Sequence, residues 1–107
     1  MAEVHVCSVD DVPAGEVGGF VVTATDGNEV NLAIIHSRSD RWFAFFDRCS
    51  HGRVKLSDGF VEDEGIECAR HGAIFDFETG APLTPPASEP VRTYPVRVDG
   101  TSVYVTL

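Results

Sequence analysis

Two short runs hold the residues of this 107-residue chain best suited to chemistry: Cys49-Ser50-His51-Gly52 and Cys68-Ala69-Arg70-His71-Gly72. Each offers one thiol and one imidazole from a tight, glycine-ended loop, so two sulfur and two nitrogen donors converge on one point. Thiolates and imidazoles bind zinc or iron, whereas magnesium and calcium prefer oxygen. The residue types therefore predict a metal centre held by Cys49, His51, Cys68 and His71. With these four committed to a metal, no Ser-His-Asp or Cys-His nucleophile can be assembled. His5-Val6-Cys7 also pairs an imidazole with a thiol, but it sits in strand alternation without a glycine loop or a second half, and Cys7 reads as a small buried hydrophobe. His36, just before a turn, reads as a surface histidine. Asp58, Glu62, Asp63 and Glu64 read as solvated loop carboxylates.

The elements that must position these loops are strands. Val4, Val6 and Cys7 open with alternation, and Asp10 to Gly15 reads as a turn or short helical turn. Phe20 to Thr25 runs into Asp26-Gly27-Asn28 and returns as Val30 to Ile35, a hairpin signal. After the turn Ser37-Arg38-Ser39-Asp40, Arg41 to Phe46 is so aromatic that both faces are apolar, as expected of a strand buried on two sides, and it delivers the chain to Cys49. Phe60-Val61 and Ile66-Glu67 predict a small hairpin whose second strand ends at Cys68. Ala73 to Phe77 is strand-like, and Thr79-Gly80 turns. Ala81 to Pro90 holds four of the six prolines, too many for a helix or central strand, so it should be a stiff surface loop. Val96 and Val98, then Asp99-Gly100, then Val103, Val105 and Leu107 form a closing hairpin. No window has sustained helical periodicity. The fold class is all-β, sandwich or barrel-like.

Length and charge limit what the site can serve. A chain of 107 residues with 43% hydrophobic content fits a single domain with one modest core. A net charge of -9 leaves no excess of Lys and Arg to neutralise phosphates, which argues against nucleic acid and for a basic protein partner. No membrane or secretory segment is visible, since apolar runs such as Leu32 to Ile35 are far too short, and the expectation is a soluble, cytoplasmic protein. Three cysteines without a leader do not suggest a disulfide framework.

The ligand order then discriminates between metals. A structural zinc site would use all four groups on one tetrahedral ion. A Rieske [2Fe-2S] centre would put both cysteines on one iron and both histidines on the other. Zinc fingers commonly pair like with like in sequence; here each loop carries one donor of each kind, which favours iron and leaves zinc as the alternative.

The two ligand runs, with sixteen residues between His51 and Cys68, followed by Phe75-Asp76 and Thr79-Gly80, resemble the Rieske-type ferredoxins. The similarity also takes in Leu56-Ser57-Asp58-Gly59, the prolines at 82, 85 and 86, and Tyr94-Pro95-Val96-Arg97-Val98, so it covers nearly the whole chain. It implies a single Rieske domain over 1–107, with two antiparallel sheets in a base and a cluster-binding subdomain at about 47–86. It further implies one [2Fe-2S] cluster on Cys49, His51, Cys68 and His71, with electrons passing through exposed edges of the histidines. The implied role is a one-electron carrier between a flavin-dependent reductase and a terminal ring-hydroxylating dioxygenase, with no catalytic residue of its own. Other readings are a ferredoxin associated with iron-sulfur assembly, a nitrite reductase small subunit, which usually lacks the ligands present here, and a zinc-stabilised binding module. Rieske proteins of cytochrome bc complexes carry an extra cysteine in each loop and hydroxyl donors to the cluster. The matching positions here are Val54 and Arg70 for the cysteines, Ala73 and Phe75 for the hydroxyls. Loss of both donors predicts a potential towards the lower end of the Rieske range of about -150 to +300 mV. Four of the eight basic residues, Arg48, Arg53, Lys55 and Arg70, lie in or beside the ligand runs, so the tip is expected to be locally basic, partly offset by Asp47 and Glu67.

Overall fold

The computed structural model describes residues 2–50, 53–70, 72–84 and 89–107. Ten strands run in the order β1 (Glu3–Ser8), β2 (Glu16–Thr23), β3 (Glu29–His36), β4 (Trp42–Phe46), β5 (Phe60–Val61), β6 (Gly65–Glu67), β7 (Ile74–Asp76), β8 (Thr93–Tyr94), β9 (Val96–Asp99) and β10 (Ser102–Thr106). They form three antiparallel sheets, ordered β1-β10-β9, β2-β3-β4-β8 and β5-β6-β7. The protein is all-β. Among the described residues no helix is long and apolar enough to cross a membrane.

The middle sheet explains the sequence pattern of β3. Leu32, Ala33, Ile34 and Ile35 are all fully buried because alternate residues enter two different cores. Leu32 and Ile34 pack with Ala44, Cys7, Val103 and Val105 against the first sheet. Ala33 and Ile35 pack with Phe45 against Leu56, Val61, Ile66 and Phe75, on the side of the third sheet. Each large apolar side chain buried this way contributes about 1.5–3 kcal/mol. The two-sided burial expected of β4 holds for Ala44 and Phe45 but not at its end: Phe46 is 38% exposed.

The hairpin of β2 and β3 turns where the Asp-Gly-Asn run places it. Asp26 accepts from the Asn28 amide at 2.9 Å, and Gly27 takes a φ of +88° that its lack of a Cβ permits. Strand β2 begins at Glu16, earlier than its apolar run suggests, because Val17, Gly18 and Gly19 pair with Ile35, Ile34 and Ala33. The turn after β1 is a single 3-10 turn over Val9–Asp11, and its start is closed reciprocally by Ser8 and Asp11. Strands β4 and β8 are neighbours, Ala44 opposite Tyr94 and Phe45 opposite Thr93, and the third sheet lies in the segment between them. Strand β8 is short and carries little alternation, so no sequence signal marks it.

Candidate metal centre

Both ligand runs hang from strand ends and close in the same way. The chain leaves β4 at Phe46, and the Cys49 amide donates to the Val54 carbonyl at 2.8 Å. It leaves β6 at Glu67, and the Cys68 amide donates to the Ala73 carbonyl at 2.7 Å, with Gly72 N–H returning to the Cys68 carbonyl at 3.1 Å. In each loop the cysteine amide therefore reaches five residues ahead, so both thiols are presented from equivalent turns. Gly72, with φ +73°, closes the second.

Cys49 and Cys68 are 2% and 1% exposed and belong to the same core cluster as Phe45, Ile66, Ala73 and Phe75. The third cysteine is equally buried but packs across the middle sheet, with Leu32, Ile34 and Val103. The two thiols that the motif paired thus share one core and Cys7 lies in the other, where burial pushes its thiol up to about 11, with Asp11 adding to the effect. His51 and His71 lie outside the described residues. Two soft donors in one dry core fit iron or zinc and leave no role for a hard cation.

The surroundings hold the loops from three sides. Asp47, a position with no signal of its own, is buried between the first loop and a 3-10 turn at Leu56–Asp58. Its carboxylate accepts from Ser57 N–H at 2.8 Å and Ser57 Oγ at 2.6 Å, while its own amide donates to the Asn31 carbonyl at 2.9 Å. Gly19 leaves room for this clasp, since a Cβ there would sit 2.7 Å from Ser57 Oγ. Asp47 is consequently turned inward onto Ser57, and among the described residues it forms no ion pair with the basic side chains.

Below the second loop, Asp76 closes the turn that follows β7. Its Oδ2 accepts from Thr79 N–H at 2.9 Å, Glu78 N–H at 3.0 Å and Thr79 Oγ1 at 3.0 Å. These bonds, with the Thr79 amide foremost, hold its carboxyl below the usual range. Gly80 follows at φ +73°, where a Cβ would meet the Val91 carbonyl at 2.0 Å, so the turn fixes the return of the chain to β8.

The proline-rich segment forms the third side. Pro82 bridges to Phe75, Leu83 N–H donates to Ile74 O at 2.7 Å, and Thr84 Oγ1 accepts from Ile74 N–H at 2.9 Å. From the other end, Ser50 Oγ donates to the Glu89 carbonyl at 2.6 Å, and Phe46 N–H to the Arg92 carbonyl at 2.9 Å. The described parts of the proline-rich run, 81–84 and 89–92, are thus bonded to β7 and to the first loop; Pro85 and Pro86 lie outside the described residues.

The Rieske [2Fe-2S] domain model matches residues 2–95. The chain belongs to the Rieske [2Fe-2S] domain family. Membership brings one Rieske-type [2Fe-2S] cluster. The chain is 38% identical to the 3-phenylpropionate/cinnamic acid dioxygenase ferredoxin subunit of Photorhabdus laumondii, covering 100% of this chain and 96% of that one. In structure it is similar to the Sphingomonas yanoikuyae B1 ferredoxin, with a TM-score of 0.86, 29% identity and 99% of each chain covered. It is also similar to a chain of the complex of reduced oxygenase and oxidized ferredoxin in carbazole 1,9a-dioxygenase, with a TM-score of 0.80, 31% identity, and 96% and 91% covered.

The other polar candidates of this Rieske domain are structural. His36 is not a surface residue: its side chain is 12% exposed, its ring stacks on Trp42 at 4.0 Å, and both nitrogens are bonded, to the Val12 carbonyl at 2.9 Å and the Asp40 carboxylate at 2.6 Å. Asp63 pairs with Arg38 at 3.0 Å. The basic residues expected at the tip, Arg48, Arg53, Lys55 and Arg70, are exposed, and among the described residues none has an ion pair.

Proposed function

We propose that this Rieske domain is the ferredoxin of a ring-hydroxylating dioxygenase system, with Cys49, His51, Cys68 and His71 as the cluster ligands. It takes one electron from a flavin-dependent reductase and delivers it to the terminal oxygenase; the setting is the cytoplasm. When bound, the cluster supplies a centre that gains and releases one electron, and no bond in the carrier is made or broken. The reading places the whole of 1–107 in one domain, with about 47–86 as the part that holds the cluster. The observation that carries it is the end-to-end match to a dioxygenase ferredoxin subunit, 96% of which this chain covers, together with two buried thiols offered from equivalent loops into one core.

The chain's own residues perform three tasks in this reading. The loop closures at Val54 and Ala73 orient the thiols, while Phe45, Ile66 and Phe75 keep water from them. The Asp47–Ser57 clasp and the proline segment keep the donors from shifting between charge states, which a fast carrier requires. Finally, with no hydroxyl at Ala73 or Phe75, the surroundings stabilise the reduced state weakly and set a low potential.

Electron paramagnetic resonance on anaerobically purified protein before and after dithionite, with iron, sulfide and zinc measured on the same sample, tests the reading. A silent oxidised state, a rhombic reduced signal of low average g, and about two iron and two sulfide per chain are expected. Zinc without a reducible signal would overturn it.

A further inference from the structure

The eight cations of the chain divide by position. Arg38, Arg41 and Arg97 are each spent on a carboxylate: Asp63, Glu78, and Glu3 with Asp99. The other five, Arg48, Arg53, Lys55, Arg70 and Arg92, have no ion pair among the described residues. Four of those five line two shallow grooves that share the ridge Phe46–Arg48. One groove, about 320 Å3, runs past Cys49 and Pro90 to Arg92; the other, about 360 Å3, runs past Arg53 to Lys55. Asp47 borders the second groove with its carboxylate on Ser57, and Ser50, which lines the first, donates to the Glu89 carbonyl.

Between the grooves, Phe46 is 38% exposed although it ends a strand whose preceding residues are core. Its position is fixed, its amide bonded to Arg92 O at 2.9 Å and its carbonyl accepting from Arg48 N–H at 2.7 Å. An exposed aromatic flanked by cations that have no ion pair among the described residues, Arg92 with its guanidinium 5.0 Å from the Tyr94 ring centroid, has the make-up of an interface anchor with a steering rim. The rest of the molecule is acidic, so this face has the opposite sign to its own body, and a partner must present the complement.

We infer that the Phe46 face is a docking surface for an acidic protein partner: carboxylates seat against Arg48, Arg53, Lys55 and Arg92, and an apolar socket takes Phe46. This rests on the electron-carrier reading and gives that carrier a defined contact along the groove that Cys49 lines. A protein is favoured over a polyanion such as nucleic acid because the central contact, Phe46, is apolar.

The test uses the cluster-loaded, oxidised protein and measures association with its reductase and with its terminal oxygenase by surface plasmon resonance at low and high salt. The double variant Arg48→Glu/Arg92→Glu should slow association with one of the two by about tenfold at low salt, with the difference closing at high salt. Phe46→Ala should weaken the same complex by about tenfold at both, through faster dissociation. Arg41→Glu, an equal charge change for one site on the body, should leave association within about twofold. The inference is overturned if neither partner responds to the double variant or to Phe46→Ala, or if Arg41→Glu acts as strongly. The dithionite-reduced resonance signal of each variant shows that its cluster is loaded; a wild type without that signal would sink the carrier reading itself, whereas normal signals with unchanged binding would sink only the docking face.

Discussion

Cys7 and Cys68 are equally deep in the protein, 4% and 1% exposed, on opposite faces of the same middle sheet. Cys7 lies within β1, held in a ladder opposite Val103, among aliphatic neighbours. Cys68 follows the last residue of β6 and begins a loop whose closing bond reaches Ala73. Burial is common to both, and the loop is the difference. In the proposed reading, a side chain in a strand is surrounded by groups the ladder has already placed, whereas one that opens a closed turn can share a metal with a donor supplied by another loop. That is why two thiols of one type and one burial have different chemistry available to them.

The most severe way to break this comparison is to exchange the roles. Cys49→Ala or Cys68→Ala should remove the cluster, leaving iron and sulfide near background and no dithionite-reducible resonance signal. Cys7→Ala should keep the full iron content and lose about 1 kcal/mol in urea unfolding. Iron lost from the Cys7 variant, or retained in the Cys68 variant, would reverse the assignment. Native Cys7 should also resist iodoacetamide at pH 8. Its folded pKa is raised from 9.0 to about 11, so it remains a thiol there, and the stability this contributes is lost as pH rises from the unfolded value through the folded one.

The next test concerns what holds the ligand side together. Asp47→Ala leaves Ser57 N–H and Oγ without their acceptor in a part-buried site, at a cost of about 1–3 kcal/mol in chemical unfolding. The first ligand loop should loosen, so the cluster bleaches faster in air while the unfolding transition remains single. Gly19→Ala, which crowds the same clasp, should act in the same direction. Equal bleaching rates in wild type and Asp47→Ala would show that the clasp serves stability alone.

Much of this arrangement is legible in the chain. The alternation of β1 and β10, the Asp26-Gly27-Asn28 turn and the apolar run of β3 follow from pleat geometry and turn chemistry, which are local. The two-sided burial of β3 reads as a continuous apolar stretch because each face meets a separate core. The pairing of Cys49 with Cys68, and the exclusion of Cys7, follow from glycine-ended loops against strand alternation. Other features depend on partners distant in sequence. Asp47 precedes Arg48 and reads as its counter-ion, and only the fold brings Ser57 to it. His36 reads as exposed because the Trp42 ring that covers it belongs to the next strand. Phe46 reads as core because five aromatic or apolar residues run together, yet at the end of β4 it is left 38% exposed. The two-residue β8 is defined by its pairing with β4 and by little in its own sequence.

The ligand side can also be tuned without being broken. Ala73 and Phe75 are fully buried and bring no hydroxyl to the site. Phe75→Tyr or Ala73→Ser should raise the midpoint potential by about 60 mV each, because one charge-assisted hydrogen bond contributes about 1.5 kcal/mol and 59 mV is a tenfold change for one electron. Wild type should titrate towards the lower end of the range of about -150 to +300 mV for Rieske centres, and a value near the upper end would show that another donor replaces these hydroxyls.

The smallest effect should come from the turn beneath the second loop. The Asp76 carboxyl is held below its ordinary value by bonds that favour the charged form, chiefly from the Thr79 amide. A depressed carboxylate contributes stability that is present above its unfolded value, roughly 3.9, and is lost as pH falls through the folded one. The group is well exposed, so solvent screening reduces the contribution to a few tenths of a kcal/mol. Asp76→Asn keeps an oxygen acceptor for the Thr79 and Glu78 amides and removes the titrating charge. Between pH 7 and pH 3 wild type should lose slightly more thermal stability than Asp76→Asn, so the two melting curves should converge in acid, and parallel curves across that interval would show that the turn is held by geometry alone.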